Sequence, residues 1–136
     1  SLKGHNRVLV VLFKGAGTAG DDPIFKLQQA TAVAGTGAKD LLFSVIRSKV
    51  GTQTGVGQFT RTTQTAATSY TDAVSAEAEA IIAVDIKAED LDVDNDFDCV
   101  RLDVADVGSN AQLGCGFYIL YEPRSAEEPA LSAIAD

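Results

Sequence analysis

Methionine is absent from the 136-residue chain, and histidine occurs once, at His5. Cysteine occurs only as Cys99 and Cys115. Two cysteines are too few for a disulfide scaffold, and no Cys/His cluster has zinc-ligand spacing. With Ser1 first and no Met, a processed or trimmed product is expected. No run of about 18 apolar residues exists, which excludes a transmembrane helix. The early apolar run VLVVLF is followed at once by Lys14 and Gly15, so a secretory signal is not expected. The tyrosines and phenylalanines do not interleave with basic residues, so no stacking platform for single-stranded nucleic acid is visible. Nucleophile signatures are missing too. Ser44, Ser48, Ser69, Ser75 and Ser109 lack a G-x-S-x-G elbow, and His5 has no nucleophile beside it. The sequence therefore assigns no catalytic, cofactor-binding or metal residue, and no enzyme is expected.

What is present is globular. The apolar fraction is 46% and the charged fraction 22%, in a chain of one-domain size. Net charge is −8, unevenly spread. Through residue 71 there are eight basic residues against three acidic ones; beyond it, three against 16. The acidic half argues against DNA or RNA as partner, because polyanions repel. The asymmetry suits contact between a basic and an acidic surface, within the fold or between copies, although an acidic solvated surface explains it equally.

Strand-length segments alternate with turn-rich ones. Residues 6–13 (NRVLVVLF) are apolar on both faces, as in a central strand or one covered on both sides. In residues 24–30, Phe25 and Leu27 share one face and Lys26 and Gln28 the other. Residues 41–49 place Leu41, Phe43 and Val45 together. Residues 58–65 are polar and Thr-rich, suiting an edge. A turn is expected near Asp72, then a strand at 78–87 with Ile82, Val84 and Ile86 inward. Residues 97–105 group Val100, Leu102 and Val104, with Phe97 and Cys99 out of phase, which suggests a bulge or a change of covering. Residues 112–121 group Leu113, Cys115, Phe117 and Ile119, and Pro123 ends that strand. This predicts an all-β fold, an antiparallel β-sandwich or barrel of about seven or eight strands with little helix. The expected core includes Leu12, Phe25, Phe43, Val84, Leu102, Phe117 and Ile119. Residues 1–124 form the expected β domain. Residues 125–136 are a tail or arm, and the segment before Asn6 is a second candidate arm.

Three local patterns carry possible chemistry. Asp90, Asp92 and Asp94 match the first ligand positions of a calcium loop, and Asp96 and Asp98 follow. Asn95 fills the glycine slot, however, and Arg101 stands where the bidentate Glu belongs. If extended, the run would align its carboxylates on one face; an acidic solvated edge is preferred to a metal site. Gly15, Gly17 and Gly20 spell G-x-G-x-x-G after a strand, but Asp21, Asp22 and Pro23 follow instead of a helix and another strand comes next, so a hairpin loop is expected. Cys99 and Cys115 lie on the last two predicted strands and would approach each other if those strands paired. Two buried free thiols are the preferred reading.

Longer phrases carry a resemblance. The opening LKGHNRVLVVLFKGAGTAGDDPIFKLQQAT, then VAGTGAKDLLF, a Gln-Phe-Thr strand, SYTDAVSAE and the stretch from IIAVDIK to YILYEPR resemble small structural proteins of tailed bacteriophages, encoded among the head genes. The resemblance runs to Arg124. It implies a β-rich virion protein that decorates or stabilises the capsid shell, assembled in the bacterial host cytoplasm, with the major capsid protein as partner and a homo-oligomeric state. It implies no cofactor, nucleic acid or membrane partner, and it assigns no binding residue. A tail or head–tail connector component, or a cellular carbohydrate- or calcium-binding β-sandwich, is the alternative.

Overall fold

The computed structural model describes residues 1–19, 22–51, 58–71, 78–105, 110 and 112–125. The elements are β1 (His5–Lys14), β2 (Ile24–Ala30), β3 (Lys39–Asp40), β4 (Phe43–Val50), β5 (Thr60–Ala67), β6 (Ser69–Thr71), β7 (Ala80–Lys87), β8 (Cys99–Ala105) and β9 (Gly114–Pro123). Two single-turn 3-10 helices, Ala88–Asp90 and Val93–Asn95, join β7 to β8. The larger sheet runs β5-β4-β7-β1-β9; in the smaller one β2 pairs β3 and β6, and also β8. Every pairing is antiparallel. The fold is the expected all-β sandwich, with β3 and β6 as short strands that periodicity does not reveal.

The core follows from alternation. Phe25 and Leu27 of β2 are fully buried between half-buried Lys26 and Gln28. Ile82, Val84 and Ile86 of β7, and Val8, Val10 and Leu12 of β1, turn the same way from the larger sheet. Phe25 meets Phe43 edge-on, at 5.9 Å between centroids and 78° between planes, so one aromatic contact ties the two sheets together. Leu102 packs against this core from β8 while partly exposed.

Two expectations fail on parity. Phe117 and Ile119 are 45% and 47% exposed. Because Val8 and Val10 point into the core and lie opposite Leu120 and Tyr118, it is the even-numbered residues of β9 that face inward. Phe117 and Ile119 lie opposite Val11 and Leu9 on the outer face. In β4 the register against β5 shifts between Phe43 and Val45. The irregularity flips the phase, so Ile46 and Ser48 are buried while Val45 is only partly so.

The segment before Asn6 is no arm. Leu2 is 2% exposed and belongs to the core, its N–H donates to the Asp98 carbonyl, and Lys3 pairs with Asp98 at 3.4 Å. Arg124 is tied back to Gly4 and Asn6 by its backbone N–H and its Nε. The expected turn near Asp72, Ser75, Ser109, and the tail beyond Ser125 lie outside the described residues.

Candidate functional site

The acidic run is folded, not extended. Asp92 precedes the second 3-10 turn and Asp94 lies within it, and Asp96 beyond it takes the left-handed conformation at φ 63°. Asp90, Asp92 and Asp98 each find a different partner. Asp90 accepts from the Lys87 backbone N–H at 3.0 Å. Asp92 pairs with Lys39 and accepts from Asn95 Nδ2 at 2.8 Å, while its N–H donates to Gln29 Oε1 at 2.8 Å. Lys39 also sits 4.0 Å from the Phe97 ring centroid. Asp98 accepts from the Cys99 thiol at 2.9 Å. Lys39 first, then Asn95, holds Asp92 below the ordinary carboxylate range. Cys99 first, then Lys3, does the same for Asp98. Among the described residues, no three His, Cys, Asp or Glu side chains converge as metal ligands do.

The other sequence candidates are also dispersed. Gly15 and Gly17 lie in the connection from β1 to β2, which crosses between the two sheets and is therefore not the expected hairpin loop; Gly20 and Asp21 lie outside the described residues. His5 opens β1 opposite Pro123, half-buried, whereas Ser44 and Ser48 lie on β4 and Ser69 on β6. Cys99 and Cys115 are free, and their strands pair with β2 and β1, not with each other. Cys99 is buried, but Cys115 is exposed opposite Phe13, contrary to the expectation of two buried thiols.

What the fold does assemble is an apolar surface on the outer face of the larger sheet. Residues opposite one another on neighbouring strands share a face. Ile81, Phe13 and Cys115 form one row across β7, β1 and β9; in the next, Ala83 and Val11 are buried and Phe117 is exposed. Phe13 is 38% exposed, comparable to Phe117. On the same face, beyond β7, Arg47 stands opposite both Ala83 and Arg61. Like charges directly opposite are unfavourable, and neither arginine makes an ion pair among the described residues. Only the apolar character of β1 on both faces pointed to this surface from sequence.

A polar cluster borders the patch. Asp85 accepts from Arg7 Nε and Nη2 and from the Tyr121 hydroxyl at 2.7 Å, linking β7, β1 and β9. Burial, then the bond to Asp85, pushes the Tyr121 phenol above its ordinary value. A raised folded value means stability is full below the unfolded value of about 10 and is lost as pH rises through the folded one. Thermal melts should therefore decline steeply in strong alkali, and Tyr121→Phe should flatten that decline. Parallel profiles for both proteins would refute the assignment.

Between the sheets, the edges of β8 and β9, unpaired among the described residues, border an open groove of about 510 Å3, lined by Val8, Ala30, Cys99, Val100, Tyr118 and Leu120 among others. Beside it, Leu102 seats on Gly116, and the Leu102 N–H donates to the Tyr118 hydroxyl at 2.8 Å. No family model, curated protein or solved structure matches this chain.

Proposed function

We propose that the protein is a non-enzymatic virion structural component that decorates or stabilises a bacteriophage capsid shell through repeated contacts with the major capsid protein. The observation that carries this reading is the exposed apolar outer face at Phe13, Phe117 and Ile119, flanked by Arg47 and Arg61. Exposed apolar side chains beside charges that make no ion pair among the described residues are chemistry for a protein partner. The sequence resemblance supplies the kind of partner. A small β domain makes contacts of limited area, and repetition on a symmetric shell raises their combined strength.

The test is co-sedimentation with capsids across a salt series, together with the copy number in purified virions. Hundreds of copies are expected, with attachment weakening as salt screens the arginines over about 10 Å at 0.1 M. A handful of copies would favour the connector alternative. Failure to co-sediment at any salt would overturn the reading.

A further inference from the structure

Four strand margins border the two sheets, and three are protected in ways natural edges use. β5, the far edge of the larger sheet, is TRTTQTAA, polar and carrying Arg61, and its pairing with β4 is irregular. β8 carries Arg101 and Asp103, and the N–H of Leu102 is capped by the Tyr118 hydroxyl. The margin opposite β8 is formed by β3 and β6, of two and three residues. β9 has none of these devices. It is ten residues long, its register against β1 has no bulge, and residues 114–121 include no charge and no proline. Glu122, at φ 54°, and Pro123 stop it only at its end.

Both faces of this edge are apolar and half-exposed: Phe117 and Ile119 outside, Tyr118 and Leu120 inside, at 42–47% exposure. A strand that completes it must offer uncharged backbone and apolar side chains on both faces. A partner strand bearing charges would bury them without counter-charges. Among the described edges of this chain, only β9 itself meets that requirement.

We propose that β9 is a self-pairing edge, along which two copies of this chain join antiparallel about a twofold axis perpendicular to the larger sheet. An isologous contact of this kind closes on itself. The axis maps outer face onto outer face, so Phe117 and Ile119 of the two copies meet across it, and two five-stranded sheets become one continuous sheet. The edge amides and carbonyls gain hydrogen-bond partners, as in strand addition generally. The uncharged stretch matters in a chain of net charge −8, because it lets two like-charged molecules meet where neither presents a carboxylate. Salt therefore leaves the pairing intact or strengthens it by screening the repulsion between copies. Shell attachment through Arg47 and Arg61 has the opposite salt response, and the pairing stands or falls without any capsid.

Sedimentation equilibrium of the full chain, from about 1 μM to several hundred μM, should show a reversible monomer–dimer equilibrium of the modest strength expected for a small interface. Amide exchange over residues 114–121 should slow as concentration rises. Ile119→Lys and, separately, Phe117→Lys should each weaken the dimer at least about tenfold by setting like charges across the axis. Both positions are exposed, so thermal midpoints at low concentration should stay near the parent's, which separates lost pairing from lost folding. Arg61→Glu, on the opposite edge, should leave dimerisation unchanged. A strict monomer throughout, or a dimer indifferent to both lysine variants, would overturn the proposal. So would slow exchange at 114–121 that ignores concentration, since residues of the same chain would then cover the edge.

Discussion

Replacing Phe25 by Ala is expected to lower the unfolding free energy by about 3–5 kcal/mol. Phe25 has no exposed surface and lies in β2, which is paired on both margins, so the surrounding backbone has little freedom to collapse into the space left behind. Its ring also makes the edge-on contact with Phe43 that crosses between the sheets. Truncation removes that contact as well as the transfer of the ring from water. Phe117→Ala serves as the contrast. With its ring 45% exposed on the outer face, it should cost only about 1 kcal/mol in the monomer. Urea unfolding at low protein concentration, with unchanged denaturant slope, measures both. A cost below about 1.5 kcal/mol for Phe25→Ala, or equal costs for the two, would mean that the parity assigned to β2 or β9 is wrong.

That pair of residues marks where sequence reading succeeds and where it stops. In β2 and β7 one phase carries most of the large apolar side chains and the other is broken by Lys26 and Gln28, or by Asp85 and Lys87, so the inward face of Phe25 and Leu27, or of Ile82, Val84 and Ile86, follows from period alone. β9 offers Phe117, Tyr118, Ile119 and Leu120 in succession, and both phases are apolar. Only its register against β1 decides which side faces the core, and that register is a non-local fact. In β4 the phase of Leu41 and Phe43 is right but does not extend past the shift before Val45. β3 and β6 are invisible because two or three residues make no period; they exist as partners of β2. The outer apolar surface was half legible. The run from Val8 to Phe13 announces apolar character on both faces, but nothing in it indicates that the outer side leaves Phe13 more than a third exposed. The acidic run misleads for a local reason. Alternate carboxylates align only in an extended chain, and two 3-10 turns with a left-handed Asp96 break that alignment.

The seating of β9 on β1 makes the last prediction sharp, because two glycines of the same phase face different obstacles. A Cβ placed on Gly114 would lie 2.8 Å from the carbonyl oxygen of Phe13 and 3.6 Å from Lys14 Cα, both backbone atoms of β1. A Cβ on Gly116 would also come within 2.8 Å of an atom, but that atom is the terminal Cδ2 of Leu102 on β8. Backbone held in a paired central strand cannot yield without moving the sheet, whereas a leucine end can rotate toward the neighbouring groove. Gly114→Ala is therefore expected to destabilise by about 1–3 kcal/mol, the usual range for overpacking. Part of the loss should appear as faster amide exchange at the start of β9, since peeling back that end relieves the clash. Gly116→Ala should cost less, about 1 kcal/mol or under. It should disturb the region around Leu102 and Tyr118 instead, where the Leu102 N–H meets the Tyr118 hydroxyl. Chemical unfolding with site-resolved exchange on both variants reads the comparison directly. Equal costs, or a neutral Gly114→Ala, would show that β9 does not approach β1 as closely as this register requires, and the edge on which self-pairing depends would have to be redrawn.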